Sequence, residues 1–376
     1  MKKFVAAGLI ACSAILPTAN AAWEHLSPGT TAPNTDSRVT VQPPIQLDSK
    51  QWVDVYFPNT PGGLTPATIA NTTCILVYFH GGSFLGGDPR DSNEGPATNP
   101  MQTMISSYVG NSGCLLISMS YPLNESTASW WTIQKILNGP EVGSVYGAFD
   151  EIYTKWLAPW KAGNPNIRLY TTGISAGALI AQRIATDGRW AIDETILVSP
   201  PVVNPRYVDE TIDGPLNTPY CDRDNPQRCE YLRNIWSWSD QVAANPADLS
   251  YYHTSRPQLV TNVLFNACDD VVDLRAAVVG YFNRLTNVRI SVHKGYTKSK
   301  IREVVQNPAL QDFNSLQHGA GKLLLEEFFT GVNDPSKWAA WQAPSVLAHP
   351  LTGDYKEYCS TGNTADDHDF RLRLIN

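Results

Sequence analysis

Arg168-Leu-Tyr-Thr-Thr-Gly-Ile-Ser-Ala-Gly-Ala-Leu-Ile-Ala-Gln182 joins a β-branched run, a glycine-flanked serine and the start of an apolar helix. The run 168–173 reads as a strand and Ala176–Ala185 as a helix, so Ser175 falls on the turn between them. A serine raised there needs strained dihedrals and neighbours without bulk, which Gly173 and Gly177 supply. A structural serine in a tight turn would carry the same five residues, so G-x-S-x-G has weight only in its strand–helix setting. In that setting Ser175 is the candidate nucleophile. The backbone N–H of Ala176, at the helix start, is a candidate donor to a tetrahedral oxyanion.

The same alternation runs outward from this turn. Strands are expected at Arg38–Ile45, Gln51–Phe57, Cys74–Phe79, Cys114–Tyr121, Arg168–Gly173, Thr195–Ser199, Asn262–Ala267 and Val288–Lys294. The middle ones are almost unbroken apolar runs, as in strands covered on both faces of a parallel sheet. Helical spacing recurs between them at Phe149–Trp160 and Leu274–Leu285. The expected fold class is α/β, with a central, mostly parallel, eight-stranded sheet flanked by helices.

His80-Gly81-Gly82-Ser83-Phe84 follows the strand Cys74–Phe79. Successive glycines let main-chain amides face a substrate oxygen unobstructed, so Gly82 and Ser83 join Ala176 as candidate oxyanion-hole donors. A phosphate cradle would also be glycine-rich, but neither G-x-x-x-x-G-K-[ST] nor G-x-G-x-x-G occurs nearby. His80 precedes the serine and is read as structural, because the chain order Ser, acid, His places the base later.

These motifs resemble those of the hormone-sensitive-lipase-like carboxylesterases of the α/β-hydrolase superfamily, over about Trp52–Phe329. HGGSF at 80–84 resembles the family's H-G-G-G, Tyr121-Pro-Leu-Asn-Glu125 its Y-R-L-A-P-E, and GISAG at 173–177 its G-D-S-A-G. Phe149–Leu157 resembles its helix before the nucleophile strand, and Asn245–Ser250 its stretch before the acid-bearing strand. Two positions depart: Ser83 replaces a glycine but keeps its N–H, and Ile174 replaces an acidic residue. The resemblance implies an α/β-hydrolase fold and a Ser-His-Asp triad acting on carboxylic esters through an acyl-enzyme.

The acid is sought in Cys268-Asp-Asp-Val-Val-Asp273. The family pattern D-x-[LV]-x-[DP] is met by Asp269 with Val271 and Asp273; Asp270 is the alternative. His293, His318, His349 and His368 follow the acids. His318-Gly319 before the apolar run 322–329 resembles the family's H-G-F and closing helix, so His318 is the expected base. His293, inside a strand, is the alternative. A serine peptidase or acyltransferase would carry the same triad. A non-catalytic binding protein on this scaffold would not need both Ser175 and His318.

The rest of the chain bounds the setting. Lys2-Lys3, an apolar run Phe4–Leu16 and Ala19-Asn20-Ala21 read as a signal peptide over 1–21, with the hydrolase domain at 22–376. The run is too short for a stable membrane span. The expected location is secreted or periplasmic; Leu9-Ile10-Ala11-Cys12 leaves a lipid anchor on Cys12 as the alternative. Six cysteines remain beyond the signal, an even number that favours disulfides in an exported chain. Fifteen pairings are open; Cys74–Cys114 at neighbouring strand starts, Cys221–Cys229 around a short loop and Cys268–Cys359 are the expected set. A formal charge of -7 without a basic stripe argues against nucleic acid. No C-x-x-C or H-x-x-x-H spacing points to a metal, and no cofactor is expected. The partner is then a small-molecule ester. About 200–258 is expected to form a cap or lid, with Trp130, Trp131, Trp236, Trp238, Tyr251 and Tyr252 as candidate pocket residues. About 333–376 is expected to be an irregular extension.

Overall fold

The computed structural model describes residues 34, 36–42, 44–47, 51–82, 89–90, 101, 104–123, 144–200, 258–266, 287–293 and 338–341. Among these, ten strands form one sheet: β1 (Val39–Val41), β2 (Ile45–Gln46), β3 (Trp52–Pro58), β4 (Cys74–Phe79), β5 (Leu115–Met119), β6 (Arg168–Ile174), β7 (Glu194–Val198), β8 (Val260–Asn266), β9 (Val288–His293) and β10 (Trp338–Trp341). Their order is β1-β3-β5-β4-β6-β7-β8-β9-β10, with β2 also on β3. The six strands from β5 to β9 run parallel, and β1, β2, β3 and β10 pair antiparallel at the margins.

Each of the eight expected strands is present. Two further strands are present as well. The first expected strand is split ahead of Pro44, whose nitrogen has no N–H to give a ladder. β1 and β2 are therefore two pieces of one edge, both on β3. β10 lies in the extension that was expected to be irregular. It joins β9 antiparallel, with Trp338 opposite His293.

Alternation along the strands makes two cores. Ile75, Val77 and Phe79 of β4 pack with Val145, Phe149, Leu179 and Ile180 in one. Leu76 and Tyr78 pack with Met101, Met104, Ile105 and Val109 in the other. Helices thus cover both faces, which is why the strands read as continuous apolar runs. The described helices are α1 (Pro66–Ala70), the π-helical α2 (Ile105–Gly110), α3 (Val145–Ile152), α4 (Ala158–Gly163) and α5 (Ala176–Asp187). A π-helical turn, Tyr153–Leu157, links α3 to α4. α3 begins four residues before its expected start. The Ser144 side chain accepts from the Gly147 N–H, a cap that holds the earlier turn. The helix expected at Leu274–Leu285 lies outside the described residues, as do the segments expected to form a signal peptide and a cap.

An ion pair lies within the buried sheet. Asp54 sits mid-strand in β3, fully buried, and Arg90 meets it with Nε–Oδ2 at 2.7 Å and Nη2–Oδ1 at 2.9 Å. The guanidinium lies 4.8 Å from the Trp52 ring. Ser118 Oγ donates to the neighbouring Pro89 carbonyl at 2.5 Å. Removing one partner of a buried pair strands the other charge. Arg90→Met is therefore expected to lower unfolding free energy by about 3 kcal/mol, read from urea denaturation. A loss under about 1 kcal/mol would mean that water reaches Asp54 once Arg90 is gone.

Candidate active site

Strand order sets the site before any side chain does. From β4 the chain crosses to β5 on one side and then to β6 on the other, so β4 and β6 are neighbours whose onward connections diverge. Ligands in open α/β sheets bind at such a switch point, outside the carboxyl ends of the strands. β4 and β6 are in register up to Phe79 opposite Gly173. The residues that follow each of them are His80–Gly82 and Ile174–Ser175.

Ser175 stands between β6 and α5 with φ 54° and ψ -118°, a conformation costly for a residue with a Cβ. Close packing holds it there. A Cβ on Gly173 would lie closer than 3.0 Å to the Gly177 backbone, and one on Gly177 closer than 3.0 Å to the carbonyl oxygens of Phe79 and His80. The Ser175 N–H donates to the Val198 carbonyl at 2.9 Å, and its carbonyl accepts from the Leu179 N–H at 3.2 Å. The residue is 5% exposed, and its hydroxyl is not used to cap α5. Ala176 is the first residue of that helix, so its N–H belongs to the end that lacks intrahelical acceptors and carries positive partial charge. Ile174 is buried in the second core beside Val198 and Leu264. That packing gives an apolar residue a place where the resembled family has an acidic one. Strand order and elbow agree with the α/β-hydrolase fold expected from sequence.

The glycine loop lies against this turn. A Cβ built on Gly81 would stand 3.7 Å from the Ser175 Cβ and 3.2 Å from the Ile174 carbonyl oxygen. Gly82 has φ 119°, which a side chain would resist. His80 is 1% exposed, and its ring stacks on Tyr121 with centroids 4.1 Å apart. Its Nδ1 lies 2.7 Å from the Gly81 carbonyl oxygen, which can only accept, so Nδ1 carries the proton.

No family model and no curated protein matches the chain. Its backbone is similar to several solved structures. One is carboxyl esterase 2 from the mycorrhizal fungus Tuber melanosporum, at 11% identity and TM-score 0.47, over 83% of this chain and 95% of that one. Another is an esterase from the bacterial hormone-sensitive lipase family, at 12% and 0.47, over 79% and 85%. A third is a bacterial heroin esterase, at 16% and 0.47, over 83% and 92%.

Of the residues expected from sequence, Ser175, Ala176 and Gly82 come together at one edge. Ser83, Asp269, Asp270, Asp273 and His318 lie outside the described residues, as do the six candidate pocket aromatics. β8 ends on the same carboxyl edge at Asn266, three residues ahead of Asp269. His293 is the last residue of β9, opposite Asn266. Cys74 and Cys114 form a disulfide with Cα atoms 4.8 Å apart, at the sheet edge away from Ser175. Pairings Cys221–Cys229 and Cys268–Cys359 fall outside the described residues. Among those residues, no helix is long and apolar enough to cross a membrane, and no cluster of His, Cys, Asp or Glu could hold a metal ion. Sequence reading overlooked Tyr121 as an individual residue. Its hydroxyl donates to the His80 carbonyl at 2.7 Å and reaches the Gly81 carbonyl at 3.3 Å. The usable signal was a tyrosine directly beyond a buried strand that pairs with the one feeding the glycine loop.

Proposed function

We propose that this chain is a serine hydrolase that cleaves small carboxylic esters. The observation that carries the reading is Ser175, strained at the sheet's carboxyl edge with its hydroxyl not capping α5, and with its Cβ 3.7 Å from where a Cβ on Gly81 would stand. In the first half-reaction Ser175 Oγ attacks the ester carbonyl carbon while His318 Nε2 takes the hydroxyl proton. The carbonyl oxygen becomes an oxyanion, stabilised by the amides of Gly82, Ser83 and Ala176. The C–O bond to the alcohol then breaks, and His318 returns the proton to the leaving oxygen. Water attacks the acyl-enzyme by the same route, releasing the acid and restoring Ser175. Asp269, with Asp270 as the alternative, orients the imidazole and stabilises its charged form.

Strand spacing favours His318 over His293. β9 lies three strands from β6, about 14 Å at ordinary spacing. A base carried within β9 starts farther from the nucleophile strand than a histidine side chain reaches, whereas a residue in the chain beyond β9 is not so bound. The disulfide supports export to an oxidising compartment, secreted or periplasmic.

A fluorophosphonate probe and a panel of p-nitrophenyl esters beside aminoacyl amides test the reading. Wild-type protein is expected to label and to turn over esters well ahead of amides. His318→Ala is expected to lose about 10³-fold or more in labelling rate and turnover, with His293→Ala near wild type. Wild-type protein that neither labels nor turns over any ester would end the proposal. Full activity in His318→Ala would move the base elsewhere.

A further inference from the structure

We infer that Tyr121 is a positioning residue for the oxyanion cradle, aiming the Gly82 amide by holding the two carbonyls that precede it. This rests on the hydrolase reading above. Peptide units are planar, and no described one is cis, so each C=O points opposite the N–H of the next residue. Fixing the His80 carbonyl fixes the Gly81 N–H, and fixing the Gly81 carbonyl fixes the Gly82 N–H. The Tyr121 hydroxyl and His80 Nδ1 do both, at 2.7 Å to His80 O, and at 3.3 Å and 2.7 Å respectively to Gly81 O. The single phenolic proton is shared, with the shorter bond to His80 O.

Anchoring of this kind is needed because glycine imposes little on its own backbone. Two glycines in succession would let the Gly82 amide swing, and a donor contributes to the transition state in proportion to its pre-alignment. The anchor is itself rigid. β4 and β5 pair up to Phe79 opposite Met119, so Tyr121 emerges beside the loop that it holds. Its side chain is 2% exposed and its ring is stacked on His80.

Tyr121→Phe keeps the ring and the stack and removes only the hydroxyl. It is expected to lower kcat about tenfold, below the hundredfold or more of losing an oxyanion donor outright, with KM within about twofold. Affinity for a trifluoromethyl ketone, whose adduct places an oxyanion in the cradle, should fall by the same factor. 4-Aminophenylalanine at position 121 retains a donor there and should restore most of kcat. Wild-type kcat in Tyr121→Phe would overturn the inference. So would a fall in kcat that left ketone affinity unchanged or that the amino analogue did not reverse, since a structural role alone would do that. Absence of Ser175-dependent turnover in the wild-type protein would instead defeat the hydrolase reading.

Discussion

Ser175→Ala is expected to lower ester turnover by about 10⁴- to 10⁶-fold, with KM little changed. The substitution deletes the oxygen proposed to attack and nothing that the elbow needs. Ala176 still begins α5, the Ser175 backbone still bonds Val198 and Leu179, and the hydroxyl was not capping the helix. Residual rate would come from the oxyanion donors acting on water. The same position gives a second, independent reading from stability. Alanine at φ 54° carries the strain that serine does, so Ser175→Ala should melt close to wild type. Ser175→Gly should exceed Ser175→Ala by about 1 kcal/mol, as relief of strain outweighs the greater entropy of the unfolded glycine. Burst-corrected steady-state assays and thermal melts measure both. Turnover above about 1% of wild type in Ser175→Ala would remove Ser175 as nucleophile. Equal stability of the two variants would mean that the elbow is not strained.

The part of this arrangement that could be read in the sequence is the part governed by short-range rules. Parallel strands buried on both faces have to be apolar along their whole length, so ILVYF at 75–79 and TILV at 195–198 announced themselves. Gly173 and Gly177 were legible because backbones meet where their side chains would be. What escaped was set by partners distant in sequence. Nothing local to Asp54 says that its charge is met by Arg90, and nothing local to Tyr121 says that its hydroxyl will find two carbonyls forty residues earlier. β10 escaped for the same reason, since WAAW becomes a strand only when β9 offers it an edge. The acid and base were approached through chain order and motif resemblance, which name a loop more readily than a residue; hence the choice among Asp269, Asp270 and Asp273.

Gly177→Ala is expected to be among the most damaging single-methyl changes in the described chain, costing about 4–5 kcal/mol and leaving little soluble protein. Ordinary glycine-to-alanine changes in helices help by up to about 1 kcal/mol, because alanine is the better helix former. Here the sign reverses. The added carbon would fall closer than 3.0 Å to the Phe79 and His80 carbonyl oxygens, and both belong to backbone rather than to a side chain that could turn aside. β4 cannot retreat, since β5 and β6 pair with it on either side along its length. α5 would have to lift from the sheet, uncovering Leu179 and Ile180 of the first core and carrying Ser175 away from Gly81. Gly163→Ala is the matched control, because it also lies in a helix and nothing stands within 4 Å of its added carbon. Urea unfolding of the two variants side by side decides the matter. A Gly177→Ala protein as stable as Gly163→Ala would mean that strand and helix are not in contact at residue 177, and the close approach that raises Ser175 would go with it.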